Sequence, residues 1–167
     1  MLETKNLLLR KVNEQDLYLF KALLQNPAYL KQLPRQNIYS NDEVKVFLHR
    51  RLKHWQKGFG TFVICLKDKP NRSLGFVGIE TSPNPMYSDL RFMLLKAYQG
   101  HGFAKEASFS CIRFVFEQGF LSDIYSVCLK NNAVSEHILA GLGMAEVKGL
   151  NVYPLLSSEL KTFHIGN

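Results

Sequence analysis

One stretch of the sequence, residues 89–119, constrains the fold more than any other, because it runs from an apolar strand through glycines into a helix. Leu90 to Leu95 is predicted to be the strand and Gln99 to Gly102 the loop, and the helix that follows has apolar side chains at helical spacing. Gly119 is expected to end this helix in a left-handed conformation. Free N–H groups in the first turn of a helix attract anions, and small loop residues let a phosphate reach the backbone. The stretch therefore predicts a phosphate-binding loop.

Two common nucleotide-binding motifs do not fit this loop. A dinucleotide fingerprint needs a third small residue at position 105, where Lys105 stands. The acid expected about twenty residues later is matched by Asp123, but Asp123 begins the next predicted strand instead of ending it. A Walker loop is excluded, because no Gly-Lys-Ser/Thr follows.

Six consecutive residues carry a more specific resemblance: Gln99, Gly100, His101, Gly102, Phe103 and Ala104. They match the pattern Gln/Arg-x-x-Gly-x-Gly/Ala at every fixed position, and so resemble the acetyl-coenzyme A (acetyl-CoA) loop of the GNAT N-acetyltransferase superfamily. The resemblance implies that acetyl-CoA is the cosubstrate and that these residues contact it.

A second match lies after the next predicted strand. Asn132-Ala133-Val134-Ser135 is similar to the Asn-x-x-Ser stretch of the same superfamily. The resemblance implies that the Asn132 side chain binds the pantetheine arm and that Ser135 lies beside the thioester sulfur. Asn132 is also a good N-cap for the helix that follows, and the two roles are compatible.

Periodicity and turn residues predict strands at 2–10, 61–67, 73–81, 123–129, 144–148 and 160–165, and helices at 14–25, from Ser40 onward and at 133–142. The resulting order, β-α-α-β-β-β-α-β-α-β-β, is that of a GNAT domain, and the opening residues are similar to the RimJ/RimL branch. We therefore predict one α/β (α+β) domain over residues 1–167, with a mixed, mostly antiparallel central sheet flanked by helices. The resemblance implies that the loop at about 25–40 lies over the acceptor site, and that residues 148–160 include a polar loop.

Local details give further expectations. Pro27 should break the first helix, and glycines 75 and 78 predict a bend or a close approach by a neighbouring strand. Trp55, the only tryptophan, is expected to pack in the core, with the acceptor cleft as the alternative.

Composition narrows the class of protein. No apolar run reaches the roughly 18–20 residues of a membrane-spanning helix, and the start of the chain lacks a secretory signal. The three cysteines stand in apolar patterns without metal-ligand spacing, so we expect a cytoplasmic protein without metal or membrane contact, as a monomer or homodimer. The net charge of +7 fits solubility or an anionic partner such as coenzyme A. Nucleic acid is disfavoured, because the basic residues are scattered apart from one cluster at 49–54.

Acetyl transfer to an amine requires a base for the amine and an acid for the leaving thiolate. Glu80 is the first candidate base, because it ends an apolar strand and partial burial should raise its pKa, although a solvent-exposed charge is nearly as good an interpretation. Asp89 is the second candidate, and His101 is expected to face solvent. Ser135 is the candidate acid, with a bound water as the alternative. A backbone N–H near Met93 or Leu94 is expected to polarise the thioester carbonyl.

The leading hypothesis is an N-acetyltransferase that moves an acetyl group from acetyl-CoA to a small-molecule amine or a protein N-terminus in a ternary complex. A CoA-binding sensor or interaction module without transferase activity is the alternative, and a basic nucleic-acid-associated protein is the third class. The acceptor stays open, because Arg91 replaces the glycine that relatives usually carry in the central strand, and His137 replaces a usual arginine.

Overall fold

The computed structural model describes residues 1–34, 36–153 and 159–167. The strands of this described part are β1 (Leu2–Glu3), β2 (Leu7–Lys11), β3 (Thr61–Leu66), β4 (Lys69–Thr81), β5 (Ser88–Leu94), β6 (Asp123–Leu129), β7 (Ala145–Glu146) and β8 (Leu160–Gly166). The helices are α1 (Leu17–Leu24), α2 (Pro27–Leu30), α3 (Asn41–His54), α4 (Phe103–Glu117) and α5 (Ala133–Gly141). Short 3-10 turns stand at Glu14–Asp16, Trp55–Lys57 and Lys96–Tyr98.

All these strands form one sheet in the order β1-β2-β3-β4-β5-β6-β8-β7. Neighbouring strands are antiparallel except β5 and β6, which run parallel. The predicted fold class, a mixed and mostly antiparallel sheet flanked by helices, is confirmed.

Helices cover both faces of the sheet. Successive side chains of a strand point to opposite faces, so each strand contributes to two buried clusters. On β3, Phe62 and Ile64 pack with α4 and α5, whereas Val63 and Cys65 pack with α1 and α3. The sheet is therefore the middle layer of three. Trp55 adjoins both clusters, as predicted for a core residue, and its indole N–H donates to the Thr61 carbonyl at 2.8 Å.

Three element boundaries differ from the predictions. The first strand is interrupted, because the Thr4 hydroxyl accepts from the Leu7 N–H at 2.9 Å and closes a turn between β1 and β2. Pro27 does end α1, but it also begins α2, where its missing N–H has no cost in the first turn and Asn26 caps the helix. The β4 strand begins at Lys69, four residues early. Part of the predicted polar loop, 154–158, lies outside the described residues, as does Arg35 in the loop at 25–40.

The glycines of β4 serve close approach, as predicted. A Cβ on Gly75 would lie 2.0 Å from the Met93 carbonyl oxygen, and one on Gly78 would lie 2.6 Å from the Thr61 Cα. The two neighbouring strands therefore come nearer than any side chain at these positions allows.

Helix α4 ends as predicted at Gly119, whose φ is 67°. The Gly119 N–H donates to Phe116 and the Phe120 N–H donates to Val115, at 2.9 and 3.1 Å. This is the Schellman arrangement, which satisfies the last carbonyls of a helix. No helix among the described residues is long and apolar enough to cross a membrane.

Two glycine-to-alanine changes should move stability in opposite directions. Gly119→Ala forces a side chain into the left-handed region and should lower the free energy of unfolding by about 1–2 kcal/mol. Gly141→Ala, at the end of α5, should raise it by up to about 1 kcal/mol, since alanine favours helix and its Cβ would meet only the flexible end of Lys105. Urea denaturation measures both changes. A loss of stability in Gly141→Ala would contradict this account of α5.

Candidate active site

The sheet opens between β5 and β6. These parallel strands are in register at one pair, Asp89 with Tyr125, and the Ser126 hydroxyl donates to the Leu90 carbonyl at 2.8 Å. Towards Leu94 no further pair joins the two strands among the described residues. The sheet is therefore split at the carboxyl end of β5.

The split leaves main-chain N–H groups of β5 without a strand partner. The Leu95 N–H, directly after β5, donates to the carbonyl of Leu74 in β4, and main-chain groups alternate sides along a strand. Met93 therefore directs its N–H to β4, whereas Phe92 and Leu94 direct theirs into the split. Of the two predicted carbonyl-polarising positions, Leu94 has the suitable direction.

A cavity of about 230 Å³ occupies this split. Its apolar walls include Leu24, Leu33, Phe47, Phe76, Phe92, Met93, Cys128 and Leu139. Its polar side chains are those of Gln32, Tyr39, Arg51, Asp89, Arg91, Ser126, Asn132, Ser135 and Tyr153. Met93 of β5 and the predicted pair Asn132 and Ser135 thus line one cavity. Gln32, Leu33 and Pro34 also line it, in agreement with the expected position of their loop.

The predicted phosphate loop follows β5 directly. Gly100 and Gly102 have φ values of 78° and 79°, and a Cβ at either position would meet no atom within 4 Å. Backbone conformation, not crowding, therefore requires glycine here. The Gln99 amide donates to the Leu94 carbonyl at 2.9 Å, which connects the loop to the split. His101 is exposed and stacks on Phe103, as expected for a solvent-facing side chain.

The N-terminus of α4 is open. Its N-cap is Gly102, which offers no side chain, and the first intrahelical bond runs from the Glu106 N–H to the Gly102 carbonyl at 3.0 Å. The N–H groups of Phe103, Ala104 and Lys105 precede that bond, so the helix itself does not use them. These free donors, at the positive end of the helix dipole, suit a phosphate.

Glu106, the acid of the first turn, is held away from this end. Its carboxylate accepts from the Thr4 hydroxyl at 2.6 Å and from the Asn6 main chain and side chain at 2.7 and 2.8 Å. Burial acts to raise the pKa of Glu106, but these hydrogen bonds prevail and the pKa is lowered. A groove of about 450 Å³ continues beside it, with Lys5, Lys105 and Arg113 in its walls.

Asn132 connects α5 with the loop over the cavity. Its side-chain oxygen accepts from the Ser135 N–H at 3.1 Å, so it caps the helix. Its amide group donates to the Gln32 carbonyl at 3.2 Å. The cap expected from the sequence is present, and the amide has a loop partner that the sequence did not indicate.

Glu80 has different surroundings from those expected. It is 7% exposed, it accepts from the Thr61 hydroxyl at 2.6 Å, and Arg51 Nη2 lies 3.8 Å from its other oxygen. Burial acts to raise the pKa of Glu80, but the Arg51 charge and the Thr61 hydrogen bond outweigh it and the pKa is lowered. The expectation of a raised pKa is therefore wrong, because the sequence did not reveal a cation beside this carboxylate.

Arg51 is the buried cation that sequence reasoning missed. It is 3% exposed, its Nη1 donates to the Phe47 carbonyl at 2.9 Å, and its guanidinium lies over the Phe47 ring. Burial lowers its pKa to about 10. Its position seven residues after Val44 and three after Leu48, on the apolar stripe of α3, is the signal that would have found it.

Asp89 belongs to a second buried cluster. It is 3% exposed, and one carboxylate oxygen accepts from Arg91 Nε at 2.7 Å and from the Tyr153 hydroxyl. The Arg91 guanidinium also donates to the Tyr153 oxygen. Burial raises the pKa of Asp89 against the opposing attraction of Arg91. Tyr153 was not singled out in the sequence, because it follows Asp89 by 64 residues.

Two polar atoms, each buried within a residue of the cavity wall, have no partner in hydrogen-bond geometry among the described residues. They are Asp89 Oδ1 and Arg51 Nε. The described residues contain no group of three or more histidine, cysteine or acidic side chains suited to a metal ion.

Comparison with known proteins agrees with this geometry. A family model described as an acetyltransferase (GNAT) domain matches residues 6–145. No curated protein matches the chain significantly.

Solved structures share the fold at low identity. An acetyltransferase from Agrobacterium tumefaciens is 20% identical with a TM-score of 0.88, covering 99% of this chain and 94% of its own. An acetyltransferase from Salmonella typhimurium that modifies the N-terminal serine of ribosomal protein L7/L12 is 16% identical with a TM-score of 0.79, covering 98% and 96%. Spermidine N-acetyltransferase from Vibrio cholerae, in complex with CoA and spermine, is 20% identical with a TM-score of 0.77, covering 96% and 95%.

These likenesses show the fold, and the family model spans most of the chain, including the phosphate loop and the Asn132 cap. The chain belongs to the GNAT acetyltransferase family.

Proposed function

We propose that this protein transfers an acetyl group from acetyl-CoA to a primary amine by direct attack of the amine in a ternary complex. The observation that carries the proposal is the junction at the carboxyl end of β5, where an uncapped helix N-terminus follows a cavity with ionisable groups. The reaction needs two adjoining sites of this kind: free N–H groups that bind the phosphates of the coenzyme, and a cavity in which the thioester meets the small acceptor. The amine belongs to a small molecule or to a protein N-terminus, as for the spermine-bound and L7/L12-modifying neighbours.

Acetyl-CoA would bind with its pyrophosphate on the N–H groups from Gln99 to Ala104. The adjoining groove is lined by Lys5, Lys105 and Arg113 and also by Glu3 and Glu106, so its positive charges outnumber its negative ones and favour the remaining phosphate. The pantetheine arm would then enter the split, within reach of Asn132. This orientation brings the thioester carbonyl towards the Leu94 N–H, a donor of the kind that stabilises developing oxyanion charge.

The reaction requires two proton transfers. The ammonium group of the acceptor loses its first proton to the base, and its nitrogen bonds to the carbonyl carbon. As the carbon–sulfur bond breaks, the nitrogen loses a second proton, which passes to the leaving thiolate. We assign the first proton to Asp89, because its pKa is raised even though Arg91 pairs with it, whereas the pKa of Glu80 is lowered by Arg51 and Thr61. Glu80 is assigned the role of counter-ion to Arg51. Ser135, on the cavity wall, is the proposed donor to the thiolate, with water as the alternative.

The alternative is a CoA-binding module without transferase activity. Release of free CoA thiol in the presence of amines, followed with a thiol reagent, separates the two. Binding of acetyl-CoA without amine-dependent thiol release would favour the module.

Gly102→Glu should abolish binding of acetyl-CoA, because it inserts bulk and negative charge at the open helix end. Gly119→Glu is the matched control: it has the same positive φ and the same added charge, at the opposite end of α4. Calorimetric titration with acetyl-CoA measures both folded variants. Unchanged affinity in Gly102→Glu would remove the basis for the coenzyme site.

Two changes at Asn132 separate its cap role from its proposed coenzyme role. Asn132→Ala should lower stability by about 1 kcal/mol and weaken acetyl-CoA binding by about 1–2 kcal/mol. Asn132→Asp keeps the capping oxygen and removes the amide donor, so stability should fall only by the lost hydrogen bond to the Gln32 carbonyl, and less than in Asn132→Ala, while affinity for acetyl-CoA falls. If the aspartate variant binds acetyl-CoA as the unaltered protein does, the residue is only a helix cap.

The pH dependence of turnover distinguishes the two candidate bases. A base acts only when deprotonated, so the rate should fall below the pKa of Asp89, which is raised above the ordinary carboxyl value. Asp89→Asn should remove this acidic limb and lower kcat by roughly a hundredfold or more. Glu80→Gln should keep the limb. The reverse result, a limb lost only in Glu80→Gln, would restore Glu80 as the base.

A further inference from the structure

The cavity beside β5 contains an arginine with few of its donors in use. Arg51 is 3% exposed and has five N–H groups, yet the structure gives it one hydrogen bond, to the Phe47 carbonyl. Its distance to Glu80, 3.8 Å, makes an ion pair without hydrogen-bond contact, and Nε has no partner in the described residues. Buried charges are ordinarily paired and hydrogen-bonded, so this guanidinium is incomplete without a ligand.

A carboxylate is the ligand that fits a guanidinium best, because its two oxygens match the planar fork of N–H groups. Phosphate is less suitable, since Glu80 and Asp89 would repel a doubly charged anion here. The cavity of about 230 Å³ also limits the ligand to a small molecule.

The same cavity contains a complementary, incompletely bonded acceptor. Asp89 is 3% exposed, its Oδ2 accepts two hydrogen bonds, and its Oδ1 has no partner in hydrogen-bond geometry, although the Val127 main-chain N–H also acts on this carboxylate. A carboxylate with remaining acceptor capacity suits an ammonium group. The cavity wall thus contains one incompletely bonded group for each charge of a zwitterion, while its own two ion pairs, Arg51 with Glu80 and Arg91 with Asp89, balance each other.

We infer that the acceptor is a small amino carboxylate, with its amino group at the Asp89 carboxylate and its own carboxylate at the Arg51 guanidinium. This inference rests on the proposed function and names its substrate class. A polyamine would leave Arg51 unmatched and add a second positive charge beside it. A protein N-terminus has no carboxylate next to its amino group. Arg51 is then a specificity-determining residue that binds substrate.

The experiment compares matched acceptors in the thiol-release assay with acetyl-CoA. One series consists of amino acids with one, two, three or more carbons between amine and carboxylate. The second series is the carboxamides of the same compounds, which keep the amine and lose the negative charge. A polyamine and a short peptide complete the panel. We expect kcat/KM for the best amino acid to exceed that of its amide by at least a hundredfold.

Variants of two adjacent arginines assign this preference to a residue. Arg51→Met should abolish the preference for the carboxylate, mainly through KM, so that kcat/KM falls far more for the amino acid than for its amide. Arg50→Met is the control, because Arg50 is exposed on the same helix, and it should leave both values unchanged. Arg51→Met leaves Glu80 buried without its cation. The double variant Arg51→Met/Glu80→Gln avoids this unpaired charge and should lose the preference for the carboxylate in the same way.

Inhibition of the unaltered protein gives a test without any variant. Short aliphatic carboxylates should compete with the best amino acid, and the corresponding amides should not.

The possible outcomes separate this inference from the function on which it rests. Acetylation of amines with equal or greater efficiency when the carboxylate is absent would overturn the inference and leave the transferase standing. An equal loss for acid and amide in the folded Arg51 variants would also overturn it. Acetyl-CoA binding without thiol release from any amine of the panel would instead contradict the proposed function.

Discussion

The separation of β5 from β6 is the feature on which the rest of the site depends. The two strands pair once, at Asp89 and Tyr125, and their parallel direction brings both carboxyl ends to the same edge of the sheet. The chain after β5 supplies the phosphate loop, and the chain after β6 supplies Asn132 and Ser135. Had the ladder continued, the Leu94 N–H would be used within the sheet and the cavity would be closed.

Packing on both sides of the sheet keeps this opening rigid. The α4 helix packs on β4 and β5 through Ala107, Cys111 and Val115, so its free N-terminus has a fixed direction relative to the split. On the other face, α3 carries Arg51 into the cavity. The close approach of β4 to its neighbours at Gly75 and Gly78 gives the middle of the sheet little freedom to shift. Binding groups from both layers therefore meet with little need for rearrangement.

Buried charge distinguishes this site from a simple coenzyme groove. Four ionisable side chains, Arg51, Glu80, Asp89 and Arg91, lie in or beside one small cavity. Burial and the pairing of opposite charges act on their pKa values in opposite directions: burial prevails at Arg51 and Asp89, and the partners prevail at Glu80 and Arg91. Such an arrangement is costly unless it serves recognition or proton transfer, and both proposals for this protein use it in that way.

The sequence by itself determined the local features: the strand, loop and helix at 89–119, the Ser40 capping box and the glycine end of α4. Their chemistry depends on residues within a few positions of one another, which a pattern records. Only the tertiary structure decided that Arg51 faces Glu80, that Tyr153 reaches Asp89 across 64 residues, and that Leu94 has the N–H directed to the split. Such contacts arise when strands and helices distant along the chain pack together, and packing also fixes whether burial or a neighbouring charge controls a carboxylate. The pKa of Glu80 was misjudged for that reason: the sequence allowed partial burial beside a solvent-exposed alternative, and it did not reveal the cation.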